Sequence, residues 1–221
     1  MEMIKKEQYR RLVKKRKAHP FSEGLLNPSE IENGKYDKDD QLGPWSRWQG
    51  NLDASILLIG QDWGNIDYYL DNKGYDTDHN PTNQNLVELF ASIGINIGIP
   101  SKPNFSAPVF FTNTILGIKK NGNMSAKVRK AWAKESAELF LAPLIEIICP
   151  KTIITLGGHA YGEIARIYDL SVLPLRELIN TNPIRVGEKE VYAMYHCGGL
   201  GLANRNFQLQ KGDWARIENR R

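Results

Sequence analysis

Ala54-Ser55-Ile56-Leu57-Leu58-Ile59-Gly60-Gln61-Asp62-Trp63-Gly64 is an apolar run that empties into a polar turn bounded by glycines. The apolar stretch is continuous rather than alternating, which suits a strand covered on both faces. Working outward, residues 109–112, 152–156 and 190–195 read as further strands with the same ending, so the chain presents four strands (the first at 54–59). Helical patterns separate them. Leu86, Leu89, Phe90 and Ile93 follow helical spacing, and Gly94 supplies a stop. Ser125 opens a longer helical stretch through Val128, Trp132 and Leu139; Pro143 begins a new helix or kinks the old one, and Pro150 ends it. Residues 161–168 form another helix. Strand alternating with helix implies an α/β domain in three layers, α/β/α, around a central, mainly parallel four-stranded sheet. The expected organisation is a basic N-terminal helical appendage over residues 1–50 and one α/β domain over 51–221.

Composition narrows the class. The chain has 221 residues, 41% hydrophobic and 24% charged, close to the globular average and unlike disordered, collagen-like or coiled-coil sequences. No apolar run approaches the roughly 18 residues of a membrane span, and the first residues are charged, unlike a secretory leader. Two cysteines, Cys149 and Cys197, build neither a disulfide framework nor a four-thiolate metal site. A reducing cytoplasm and a monomer are the expectations. The net charge of +4 is uneven: residues 1–17 alone carry +6. This segment reads as a basic helix docked through Ile4, Tyr9, Leu12 and Val13, either drawn to phosphate backbones or simply solvated.

Open α/β sheets bind ligands beyond the carboxyl ends of their strands. Past each strand here lie Gly60-Gln61-Asp62-Trp63-Gly64, then Asn113, then Gly157-Gly158-His159, then His196-Cys197-Gly198-Gly199-Leu200. A carboxylate, an amide and an imidazole therefore have the chance to meet in one cleft. Each also has a plainer role. Asp62 suits the cap of a turn, Asn113 a bond to nearby backbone, and His159 either a helix cap or a phosphate contact. Cys197 beside His196 is a poor nucleophilic pair, because neighbouring strand-end residues point apart. Asp71, Asp76, Asp78 and His79 read as a solvated acidic loop without calcium-loop spacing. Trp45 and Trp48 read as core. No phosphate-binding loop or dinucleotide fingerprint occurs.

The strand-end segments resemble the uracil-DNA glycosylase superfamily. Residues 56–62, Ile-Leu-Leu-Ile-Gly-Gln-Asp, are similar to its water-activating motif. Phe110-Phe111-Thr112-Asn113-Thr114-Ile115-Leu116 is similar to the strand carrying its base-reading asparagine. Residues 85–95 resemble a helix of its thermophilic-type members. Leu141-Ala142-Pro143-Leu144, Pro150-Lys151 and residues 153–160 resemble further segments, and residues 196–200 stand where the family keeps His-Pro-Ser-Pro-Leu.

The resemblance implies removal of uracil or another deaminated base from DNA without metal or organic cofactor. In those terms Asp62 serves the sugar and the attacking water, Asn113 the base edge and His196 the departing base. Gly60, Gln61, Trp63 and Gly64 line the substrate. Gly198, Gly199, Leu200 and His159 meet DNA, with Leu200 filling the stack emptied by base extrusion. The departures are specific. Trp63-Gly64 replaces Pro-Tyr and leaves space open unless Trp63 or another ring closes it. Cys197-Gly198-Gly199 replaces the serine-proline stretch, so glycine N–H groups would have to replace the serine on phosphate. Tyr68, Tyr69 and Tyr75 are candidates for the ring that stacks on the base. The alternatives are a nucleic-acid-binding or regulatory module with the same fold, and an unrelated α/β enzyme acting on a free nucleoside or nucleotide.

Overall fold

The computed structural model describes residues 2–122 and 127–218. Its centre is a five-stranded sheet of β1 (Ile56–Gly60), β2 (Val109–Asn113), β3 (Thr152–Leu156), β4 (Ile184–Val186) and β5 (Lys189–Met194), in the order β2-β1-β3-β5-β4. The four longer strands are the four expected from sequence, and all run parallel. The fifth, β4, corrects the expected count of four. It turns back through Gly187 and pairs antiparallel with β5, Val186 opposite Lys189. A three-residue edge strand with Arg185 at its centre has no apolar run to announce it.

Successive residues point to opposite faces, and both faces are covered. On one face Leu58, Phe111, Ile154, Tyr192 and Met194 share a core with α3 (Pro81–Ser92) and α9 (Phe207–Glu218), where Phe90 meets Trp214 edge-on at 5.0 Å. On the other, Leu57, Ile59, Phe110, Ile153 and Val191 pack against α1 (Glu2–Lys17), α5 (Ala142–Ile148), α6 (Gly158–Ile167) and α7 (Leu175–Thr181). This is the three-layer α/β/α architecture.

Local chemistry sets the element ends. The Asn80 side chain accepts from the Thr82 N–H at 2.9 Å and Pro81 occupies the first turn, so α3 starts there, and it stops before Gly94 at φ +74°. The expected helix start at Ser125 lies outside the described residues; the helix observed is α4 (Lys130–Ser136). It runs through a π turn at Ala137–Leu141 into α5, whose first turn contains Pro143. Proline has no N–H to give the preceding turn, and the wider π turn absorbs the mismatch. Among the described residues no helix is long and apolar enough to cross a membrane.

The basic helix α1 is docked rather than merely solvated. Tyr9, Leu12 and Val13 are buried as expected, but Ile4 is 64% exposed. The surprise is Arg16, fully buried one helical step beyond Val13. Its guanidinium donates to both Asp37 oxygens at 2.7 and 2.8 Å, to Asn27 Oδ1 at 3.2 Å and to the Gln41 carbonyl at 2.7 Å. One arginine of the basic run therefore fastens α1 to the loop that follows it.

Candidate functional site

The parallel register puts Gly60 opposite Asn113, so β1 and β2 end at the same level. The loops beyond are tied together. Thr114 N–H donates to the Gly60 carbonyl at 2.9 Å, and the Gln61 carbonyl accepts from Ile115 N–H at 3.0 Å and from the Thr114 hydroxyl at 2.7 Å. A β-carbon on Gly60 would lie 2.5 Å from Asn113 Oδ1 and 2.8 Å from the Trp45 ring. Gly60 thus permits the close approach of an amide and an indole that the sequence kept apart. The Trp45 ring packs on Phe111, as core residues do, while its edge closes on Gly60.

Asn113 is 4% exposed, and among the described residues its side-chain amide makes no hydrogen bond, so the amide is open to a ligand. It offers a ligand one acceptor and one donor edge side by side.

Asp62 is held differently. Its Oδ1 pairs with Lys119 Nζ at 2.9 Å, its Oδ2 accepts from Gln61 Nε2 at 2.8 Å, and both partners of the ion pair are nearly buried. Sequence reading missed Lys119 altogether, because Ile118-Lys119-Lys120 looks like a solvated basic run.

His196 follows β5 and faces the same end of the sheet. Its Nδ1 accepts from the Gly198 N–H at 2.9 Å, which leaves the ring proton on Nε2. Burial lowers its pKa below the usual histidine value, and the negative charge of Asp62 pulls the other way. At neutral pH it is a neutral imidazole with one free donor. Gly198 spends its N–H on this bond, so that N–H is not available to a phosphate as the sequence reading had allowed. A β-carbon at Gly198 would meet Thr82 Oγ1 at 2.5 Å and the imidazole ring at 2.9 Å, which makes glycine a packing requirement there. The loop is clamped on α3: Asn85 Nδ2 donates to the Cys197 carbonyl at 2.7 Å. Cys197 is itself fully buried, and burial pushes its thiol up to about 12, so it is no nucleophile at neutral pH.

Other expected residues stand at the rim. Leu200 lies in α8 (Gly199–Asn204) and is 73% exposed, although large and apolar. Gly199 has no atom near the place of a β-carbon, and His159 is exposed on the first turn of α6. Gly157, before it, donates to the Met194 carbonyl at 2.8 Å, which keeps this turn beside β5.

Trp63 is tied to the acidic loop. Its indole N–H donates to Asp76 Oδ2 at 3.2 Å, and its ring meets Tyr68 at 4.8 Å and Tyr69 at 5.8 Å. Tyr69 is buried in the core and Tyr75 is stacked under Arg47 at 3.9 Å, whereas Tyr68 stays half-exposed beside Trp63. Gly64, at φ +143°, accepts from the Lys119 N–H at 3.2 Å.

Asp76 also departs from the solvated loop expected of it. Burial raises its pKa to about 6, against the lowering effect of the donors Trp63 and Asn83. The protonated form is therefore favoured by folding. Its stabilisation is complete below the unfolded value of 3.8 and is lost as pH rises through 6. At 1.36 kcal/mol per unit the effect is at most about 3 kcal/mol. Urea denaturation of Asp76→Asn and the wild type at pH 4 and pH 8 checks this: the variant gains on the wild type as pH rises. A constant difference contradicts the assignment.

The chain matches the model of the family described as the Uracil DNA glycosylase superfamily over residues 48–218. No curated protein matches it.

Proposed function

The chain belongs to the uracil-DNA glycosylase superfamily, and from that premise we propose that it removes uracil or another deaminated base from DNA by hydrolysing the N-glycosidic bond. Membership supports a glycosylase-like function acting on DNA in general. The finer reading is carried by one observation: the side chain of Asn113, a residue only 4% exposed at the end of β2, makes no hydrogen bond within the described protein and so keeps its amide open to a ligand. A uracil edge, with O4 as acceptor and N3–H as donor, satisfies both halves of such an amide, while cytosine does not.

The residues around it fit the charges of the reaction. Bond breaking puts positive charge on the sugar and negative charge on the departing base. Asp62 offers a carboxylate for the sugar and the attacking water. The Nε2–H of neutral His196 offers a donor to the base oxygen that gains charge, a role that mutagenesis of comparable oxyanion donors values at about 10²–10³ in rate. A base inside a duplex is out of reach of these groups, so it must be extruded, and exposed Leu200 is suited to enter the gap. In this reading Trp45 and Gly60 form the wall beside Asn113, while the indole N–H of Trp63 is engaged by Asp76.

Incubation with labelled oligonucleotides bearing uracil, hypoxanthine or xanthine, single- and double-stranded, tests the proposal. Release of one of these bases is expected, and His196→Ala should slow it about 100-fold while oligonucleotide binding changes little. Tight binding with every oligonucleotide intact would favour the non-catalytic module. Turnover of free nucleosides alone would favour an unrelated α/β enzyme.

A further inference from the structure

A lysine ammonium 2.9 Å from the carboxylate meant for a cationic sugar is at first sight a contradiction, since its charge opposes the one to be stabilised. The local geometry resolves it. Asp62 sits in an irregular turn between β1 and α2 (Ile66–Asp71), with no helix or strand of its own to fix it. Its two oxygens are held by different donors, Oδ1 by Lys119 and Oδ2 by Gln61. Lys119 is anchored in turn. It lies in a short antiparallel ladder opposite Leu25, and its own N–H donates to Gly64 on the far side of the same turn. The turn is gripped twice by one residue, by backbone at Gly64 and by side chain at Asp62. The neighbouring Lys120, one residue past the end of this ladder, is exposed.

We propose that Lys119 is a positioning residue, holding the Asp62 carboxylate in the one orientation that faces the sugar. The inference rests on the reading of Asp62 given above. A carboxylate free to turn about two torsions would spend part of its time facing away, and preorganised charge is what stabilises a developing cation. An ion pair this deeply buried is also poor as a mere stabiliser, because desolvation offsets most of the attraction.

The test needs no knowledge of the excised base and no turnover. Duplex DNA is prepared with a pyrrolidine residue, a cationic mimic of the charged sugar, or with a neutral tetrahydrofuran residue at the same place. The ratio of the two affinities reports the carboxylate's hold on positive charge. In the wild type the pyrrolidine DNA should bind tighter. Asp62→Asn should abolish the preference. Lys119→Gln should lower it at least about tenfold, with unchanged affinity for the neutral analogue, and Lys119→Arg should restore it to within about threefold of the wild type. Gln61→Ala, which frees only Oδ2, should lower the preference by a smaller factor and supplies a second reading should Lys119→Gln fail to fold.

An unchanged preference in Lys119→Gln would make the lysine structural only. A raised preference would mean that its charge offsets Asp62 rather than aims it. Either result overturns the proposal. A preference that survives Asp62→Asn would instead remove Asp62 from the sugar, and with it the premise.

Discussion

Asp62→Asn is expected to cut base release by about 10³-fold or more while leaving DNA affinity within a fewfold of the wild type. The substitution keeps the shape and removes the charge. In the proposed function, what it removes is stabilisation of a sugar that becomes positive only as the bond breaks, together with the base for the attacking water. Little of that is felt by bound, unreacted DNA, so the loss should fall on the single-turnover rate constant rather than on binding. Amide in place of carboxylate also takes from the nearly buried Lys119 the charge of Asp62. A circular-dichroism spectrum and a urea midpoint are therefore needed beside the kinetics. Equal losses in rate and binding would contradict the role.

Arg16→Ala should destabilise the fold by about 3–5 kcal/mol, read from urea denaturation. Asp37 is 5% exposed at its side chain and receives two of the guanidinium's hydrogen bonds. Removing the arginine leaves that carboxylate inside the protein with Lys17, 3.8 Å away, as its one remaining ion-pair partner among the described residues. Asn27 and the Gln41 carbonyl lose a donor as well. Removing Asp37 together with Arg16 should cost less than the sum of the two single changes, because neither charge is then stranded. A loss below about 1 kcal/mol for Arg16→Ala would mean that the pair is dispensable and that α1 is held by its apolar face alone.

These two residues also show what the sequence could reveal. The long strands were legible because each is a continuous apolar run ending in glycine or a polar residue, a pattern that a buried parallel strand produces and a surface helix does not. The placement of Asp62, Asn113 and His196 at one end of the sheet was legible for the same reason, since each stands at or just past the carboxyl end of such a run. Strand β4 was not, because three residues at a sheet edge carry no periodicity. Arg16 was half legible: positions 9, 12, 13 and 16 share one helix face, but a positive charge among seven others reads as surface.

Lys119 and Asp76 were hidden for a deeper reason. A charge is buried when its partner lies far away in sequence, and neither Lys119 with Asp62 nor Asp76 with Trp63 follows from any local spacing. The direction of Trp63 was likewise a tertiary fact, set by a hydrogen bond to a loop that reads as solvent-facing.

The most direct measurement of the central claim is the stoichiometry of product formation by the wild-type protein on the preferred lesion-bearing oligonucleotide. Free base is quantified by chromatography, and alkali-labile sites are counted on a gel from the same tube. Hydrolysis of the N-glycosidic bond predicts one free base for each alkali-labile site, with neither formed on undamaged DNA. Bound DNA that yields no free base from any deaminated lesion, in either strand form, would contradict it.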